Sequence, residues 1–300
     1  MSSYHIPVLL EESVEGLQVD PSGVYVDLTF GGGGHARAIL SRLKEGRLIA
    51  FDKDEAATEN RIDDERFVLL QQDFRFLKYN LRYLGIEKVD GILADLGVSS
   101  HHFDDASRGF TYREDGPLDM RMNRSVRLTA ADVLNGYTPE ELERIFREYA
   151  DVRHPRRLVE RIVAFREGRP FRTAGDLQEA LRSFLRGGAG NKFLSRIFQA
   201  LRIEVNGEME ALREMLQQVP QVLRPGGRLV VIAYHSLEDR LVKHFIRTGH
   251  FKEEETDPFS TEKPPLRPVN KKVIVPSDEE VRRNPRARSA RMRIAERIEE

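Results

Sequence analysis

The sequence predicts an α/β protein: a parallel, doubly wound sheet interrupted by a helical insertion. Three observations carry this. The β-formers Val24, Tyr25, Val26 and Leu28 stop at four consecutive glycines, Gly31 to Gly34, and Ala36, Ile39, Leu40 and Leu43 then repeat at helical spacing. Short apolar strands alternate with amphipathic helices as far as Asp95. The alternation lapses for well over a hundred residues before Arg228–Tyr234 restores an apolar strand of the parallel-sheet type.

Taken in order, HIPVLLEESVEGL forms a short amphipathic helix ahead of strand one, Val24–Thr29. A helix from His35 to about Arg42 ends at Gly46, and Arg47–Phe51 is strand two, closed by Asp52. Phe67–Leu70 is strand three, and Leu77, Leu81 and Leu84 share the stripe of a helix that Gly85 ends. Strand four, Val89–Ala94, runs into Asp95. The insertion opens with a polar, turn-rich stretch, 101–123. Its helices start at Thr138-Pro139-Glu140-Glu141 (a capping box with proline at the first helical position), at Pro155, at Thr173 with Asp176, and before Leu194. Asn206 is expected to start a long helix, Pro225-Gly226-Gly227 to form a turn, 252–280 to be a loop or extended arm, and 281–297 to be a basic tail. The expected domains are 1–103 and 206–300 for the sheet, with 104–205 inserted.

Composition narrows the class. A chain of 300 residues, 40% hydrophobic and 32% charged, can bury a sizeable core. No apolar run is long enough to span a membrane, and the acids Glu11, Glu12 and Glu15 argue against a signal peptide. The absence of cysteine excludes disulfides, zinc–thiolate sites and thiol nucleophiles, and fits a cytoplasmic location. A net charge of −1 hides two basic clusters: seven arginines against one glutamate in 281–297, and seven against two acids in 153–172. Such clusters on a near-neutral protein fit polyanion contacts or solvated helix faces.

The glycine loop is the candidate cofactor site. Gly31, Gly33 and Ala36 fit G-x-G-x-x-A, and Asp52 stands where an acid receives ribose hydroxyls. A nicotinamide dinucleotide and S-adenosylmethionine both satisfy this pattern. Asp27, four residues before the glycines, suits a ligand amino group. Asp73 and Phe74 suit an adenine, and no second mononucleotide half is evident; these three features favour S-adenosylmethionine.

The motifs HIPVLLEE, VDLTFGGGGHAR, DGILADLGVSSHHFDDASRGF, DGPLDMRM, RIFQALRIEVNGE, LRPGGRLVVIAYHSLEDR and NPRARSARMRIAER resemble those of the bacterial RsmH/MraW family, from about Tyr4 to Arg297. The resemblance implies a class I (Rossmann-like) S-adenosylmethionine-dependent methyltransferase with an inserted helical domain. It implies methylation of the exocyclic N4 of a cytidine in the decoding region of 16S rRNA. The implied partner is that RNA in the small subunit or its precursor, with no membrane or DNA partner; a homodimer is compatible. By motif, the cofactor-binding positions are Gly33, Gly34, His35, Asp52, Phe74, Asp95 and His102. The family often has a larger residue at Gly32 and glutamine or another polar residue at His102.

Methyl transfer to a cytosine amine needs alignment, water exclusion and a hydrogen-bond acceptor on the amine. Amino-methyltransferases often carry an Asp/Asn-Pro-Pro-aromatic motif after strand four; here that place holds DLGVSS. Asp95 is therefore a candidate for the acceptor, or for holding the methionine end of the cofactor. Asp119 and His235 are further catalytic candidates, or loop-fixing residues. Phe110, Tyr112 and Tyr234 are candidates to stack on a splayed base, or core aromatics. HHFDD (101–105) resembles a ligand set, but without cysteine or a second matched cluster no metal is expected.

Overall fold

The computed structural model describes residues 7–98, 103–185, 190–251 and 263–299. The chain forms two compact units, one from Met1–Gly97 with Met209–Glu300 and one from Val98–Glu208.

The first unit is built on a seven-stranded sheet of order β3-β2-β1-β4-β5-β7-β6. The strands are β1 Val24–Asp27, β2 Arg47–Phe51, β3 Phe67–Leu70, β4 Val89–Asp95, β5 Leu223–Ala233, β6 Leu266–Pro268 and β7 Arg291–Arg297. Neighbours among β1 to β5 pair in parallel, whereas β7 runs antiparallel to β5 and β6. Near-continuous apolar strands such as β2 and β4 fit a sheet covered on both faces. Helices Leu10–Leu17 and Gly34–Arg42 supply part of that cover, burying Val14, Leu17, Ile39 and Leu40 against Tyr25, Leu48 and Ile232. The order and the one antiparallel strand are those of the class I methyltransferase sheet, as expected.

Four local expectations need correction. Asn206 ends the helix Gly190–Asn206 rather than opening one; Gly207, at φ 57°, turns the chain into the helix Glu208–Val222. The Asn206 side chain accepts from the Met122 amide at 2.8 Å and donates to the Met120 carbonyl at 2.8 Å, which holds it at that end. Pro225-Gly226-Gly227 is an irregularity within β5. Val89 pairs with Leu223 but Gly91 with Arg228, so extra residues loop out there, with Gly226 at φ 78°. The C-terminal stretch is not a tail. Met292, Ile294 and Ala295 are buried in β7, held between β5 and β6. Its alternation of arginine with apolar residues is the period of a half-buried strand. Arg293 donates to Asp239 at 2.6 Å, and Arg291 stands 3.4 Å from the same carboxylate. Within 252–280, the described part is not all loop: β6 and the start of the helix Asp278–Arg283 lie there.

The second unit is helical, with helices Ala130–Gly136, Pro139–Tyr149, Arg156–Gly168, Ala174–Ala180 and Gly190–Asn206. Thr138 and Thr173 form the expected capping boxes with Glu141 and Asp176, and Thr129 forms a third with Asp132. Each satisfies helix-start N–H groups from both sides. Leu142, Phe146, Leu158, Ile162, Leu177 and Leu201 meet in its core. No described helix in either unit is long and apolar enough to cross a membrane.

Candidate active site

Strand order reverses between β1 and β4, the place where open α/β sheets bind ligands at the carboxyl ends of their strands. Asp27 ends β1 and Asp95 ends β4, while Asp52 directly follows β2 and Asp73 stands three residues past the end of β3. Parallel strands of matched register bring the four acids to one end of the sheet.

The glycine loop joins β1 to the helix Gly34–Arg42. Gly31 and Gly33 take left-handed backbone, with φ of 50° and 74°. A Cβ on Gly33 would lie 2.8 Å from the Phe30 ring, and one on Gly34 would lie 2.1 Å from Pro7 Cγ. Gly32 has neither constraint, since a Cβ there meets nothing within 4 Å. That freedom accounts for the larger residue expected there in the family. Asp52 has a part in the loop that its spacing did not suggest. Its Oδ2 accepts the Gly31 amide at 2.8 Å and its Oδ1 the Asp54 amide at 2.8 Å.

Asp27 is almost fully buried. Its Oδ1 accepts the Thr29 amide at 3.1 Å, while Oδ2 has no hydrogen-bond partner among the described residues. Burial pushes its carboxyl up to about 7; the Thr29 amide works against this, and the charge of Asp52 adds to it. Asp95 also stands at about 7, raised first by burial, lowered by a hydrogen bond from Tyr234, and raised again by the charges of Asp27 and Glu238. The carboxyl still keeps 18% of its side-chain surface open. The Tyr234 hydroxyl donates to Asp95 Oδ1 at 2.8 Å, and the Asp95 amide donates to Thr29 Oγ1 at 2.7 Å. Burial and then the Asp95 charge hold the Tyr234 hydroxyl far above its ordinary range, so it remains a donor. The sequence offers Tyr234 as a stacking residue or a core aromatic, and neither reading contains the link through its hydroxyl. The register explains the link, because Asp95 pairs with Ile232 and Tyr234 follows two residues later on the same face.

His35, the second residue of the glycine-loop helix, is buried with Nε2 3.1 Å from the Val8 carbonyl. A carbonyl only accepts, so Nε2 carries a proton, and Nδ1 lies 3.9 Å from Asp95 Oδ2. Asp73 caps the short turn Phe74–Phe76 through the Arg75 amide and lies 3.9 Å from Lys53 Nζ. Phe74 is half-buried at the head of that turn.

The other candidates have structural partners. His235 is the N-cap of the helix Ser236–Thr248: its Nδ1 accepts the Glu238 amide at 3.4 Å, and Glu238 answers the Tyr234 and His235 amides. His235 Nε2 lies 3.1 Å from Glu238 Oε1, within ion-pair range but without the alignment of a hydrogen bond. In the helical unit, Asp119 is held bidentately by Arg121 at 2.7 and 2.8 Å. Burial would raise its carboxyl, but the bonds and charge of Arg121 outweigh that and keep it low. Phe110 is a core residue, and Tyr112 packs edge-on against Phe198 at 5.3 Å. His102 lies outside the described residues, as does the first part of HHFDD.

The donor set fits S-adenosylmethionine. The unpartnered Oδ2 of Asp27 suits an ammonium group, the cleared glycine turn admits a ligand against the backbone, and Asp52 and Phe74 suit ribose and adenine.

The model of the MraW methylase family matches residues 2–298 of this chain. The chain is similar to the ribosomal RNA small subunit methyltransferase H of Bacteroides thetaiotaomicron, 54% identical over 296 residues that cover 98% of this chain and 97% of that protein. The protein of the same name from Parabacteroides distasonis is 55% identical over 300 residues, covering 99% and 98%. That from Christiangramia forsetii is 51% identical over 300 residues, covering 99% of each.

Proposed function

Because the chain belongs to the MraW methylase family, we propose that it methylates small-subunit ribosomal RNA, at the exocyclic N4 of a cytidine in the decoding region of 16S rRNA. S-adenosylmethionine is the donor, and when bound it supplies a methyl group on a sulfonium. The observation that carries the reading is the end-to-end family match, joined to a near-neutral acid, Asp95, at the switch point of the sheet.

In this reading Asp27 Oδ2 receives the ammonium of the donor, Asp52 its ribose, and Phe74 packs on its adenine. Gly33 and Gly34 let it approach the backbone, and His35 and Asp95 close the methionine end. Asp95 also accepts a hydrogen bond from the cytosine amine, which helps localise a lone pair otherwise spread into the ring. As the nitrogen–carbon bond forms and the carbon–sulfur bond breaks, the amine nitrogen becomes cationic and gives one proton to Asp95, then to solvent. A carboxyl near 7 can be ionised before transfer and protonated after it. Tyr234 fixes its rotamer. Asp119 and His235 each fix a loop of their own unit. The helical insertion recognises the substrate, with the exposed Arg153, Arg157, Arg161 and Arg172 as phosphate contacts. Arg166, by contrast, is spent on the carbonyls of Leu134 and Tyr137 at 3.0 and 2.7 Å.

Incubation with methyl-labelled S-adenosylmethionine and small-subunit particles, followed by digestion to nucleosides, should yield labelled N4-methylcytidine. No label above a boiled control would sink the proposal. Calorimetry should give binding of S-adenosylmethionine and none of NADH; the reverse would move the glycine loop to oxidoreductase chemistry.

A further inference from the structure

Seven large apolar residues are exposed among the described residues, and three of them, Phe76, Tyr79 and Tyr83, fall within eight positions of one another. They lie along the turn Phe74–Phe76 and the helix Leu77–Tyr83, which run on without a break. Spacings of three and four put the three rings on one face. The opposite face buries Leu77, Asn80 and Leu81, which fixes the orientation of the helix. The rings are 48%, 71% and 81% exposed, so no described residue covers them.

Their chemistry narrows what does. From Phe74 to Ile86 the sequence reads FRFLKYNLRYLGI, interleaving four aromatics with three cations and no acid. Arg82 is exposed and has no ion-pair partner among the described residues. Lys78 is exposed and donates to Gln221 at 2.7 Å, a neutral partner that leaves its charge uncancelled. Arg75 is the exception, 3.6 Å from Asp73 and 3.9 Å from Glu214. Exposed rings interleaved with uncompensated cations are the platform that stacks unpaired bases and tracks their phosphates.

We propose that the Phe76–Tyr79–Tyr83 face, with Lys78 and Arg82, binds a single-stranded segment of the RNA substrate. This rests on the ribosomal-RNA reading above and adds to it a contact surface apart from the arginines of the helical insertion. The face begins two residues after Phe74, the candidate for the adenine, so RNA stacked there would leave the cofactor end of the sheet along this helix.

The test compares wild type with Tyr79→Leu/Tyr83→Leu and Tyr79→Phe/Tyr83→Phe, using a fluorescein-labelled single-stranded oligoribonucleotide of mixed sequence. Leucine keeps apolar bulk and removes stacking, and both sites are exposed enough to leave the fold intact. The leucine pair should bind about tenfold or more weakly, and the phenylalanine pair should match wild type. Arg82→Gln should make the slope of log affinity against log salt shallower by about 0.7, the single-strand value for one phosphate contact. With small subunits as substrate, the leucine pair should raise KM and leave kcat unchanged. Wild-type affinity and KM in the leucine pair would overturn the assignment. So would light scattering that finds a wild-type dimer broken by the leucine pair with RNA affinity unaltered, which would give the face to a second copy of the chain. Failure of the wild type to methylate ribosomal RNA would instead count against the function proposed above, so the two failures are distinct.

Discussion

Tyr234→Phe removes one hydroxyl and little else, and it isolates how Asp95 is tuned. In the folded protein that hydroxyl donates to Asp95 Oδ1 at 2.8 Å. A hydrogen bond to a charged group is worth about 1.5–3 kcal/mol, and about 1.4 kcal/mol corresponds to one pKa unit. The Tyr234 bond lowers the Asp95 pKa against the larger upward push of burial, with the result at about 7. Without it the carboxyl should titrate about one pH unit higher. If transfer needs the ionised carboxylate, the fraction available at pH 7 falls from about a half to about a tenth, a loss of about fivefold in rate. The loss should vanish above about pH 9, where both proteins are ionised. The groups facing Asp95 are Tyr234 after β5, His35 on the glycine-loop helix, Asp27 on β1 and Glu238 on the helix Ser236–Thr248; the substitution alters only the first. Single-turnover methyl transfer across pH 6 to 9 reads the shift. An acidic limb that stays where it is in wild type, with cofactor affinity retained, would refute Asp95 as the proton acceptor. Asp95→Asn supplies the control: it should abolish the limb and make Tyr234→Phe silent in that background.

Three further outcomes follow from the same geometry. The folded pKa of Asp27 lies above its unfolded value, so the folded protein binds more protons between about pH 4 and 7, and this group's contribution to stability falls as pH rises through that window. Asp27→Asn should therefore gain on wild type by on the order of 3 kcal/mol from pH 5 to pH 8 while losing cofactor affinity; a Tm difference that does not grow with pH would contradict it. Gly32→Ala should leave Tm within about 1 °C, whereas Gly34→Ala, with Pro7 at 2.1 Å from the added carbon, should cost about 1–3 kcal/mol in urea unfolding; equal effects would show that the loop is not built as described. Ile294→Ala should cost about 2–4 kcal/mol, and truncation after Ala290 should leave no cooperative unfolding transition, because both damage β7; a folded truncated protein would return this stretch to the role of a tail.

Much of this was legible in the sequence where local chemistry decides the outcome. Gly31 and Gly33 need left-handed backbone, the Thr138 and Thr173 boxes cap helices by short-range bonds, and alternating apolar strands and helices could only form a parallel sheet. What was misread depends on distant residues. The arginines of 291–297 look like a polyanion-binding tail until Asp239, more than fifty positions earlier, is seen to pair with Arg291 and Arg293. Asn206 looks like a cap until Met120 and Met122 claim its side chain for the end of the preceding helix. Asp52 was read for a ribose, and its bond to Gly31 was invisible because spacing alone does not show which lone pairs the fold already uses. The aromatic face of the helix Leu77–Tyr83 went unremarked for a related reason: periodicity located the buried leucines, while the exposure of Phe76, Tyr79 and Tyr83 emerges only once their surroundings are in place.

The central claim is methyl transfer to one cytidine amine by a site built around Asp95. Small subunits lacking the modification can be treated with this protein and S-adenosylmethionine, and their 16S rRNA mapped by nuclease digestion and mass spectrometry. Wild type should add one methyl group to the exocyclic amine of a single decoding-region cytidine, and Asp95→Asn should add it slowly or not at all. Methylation elsewhere on the ribose or ring, or equal methylation by Asp95→Asn, would contradict the account.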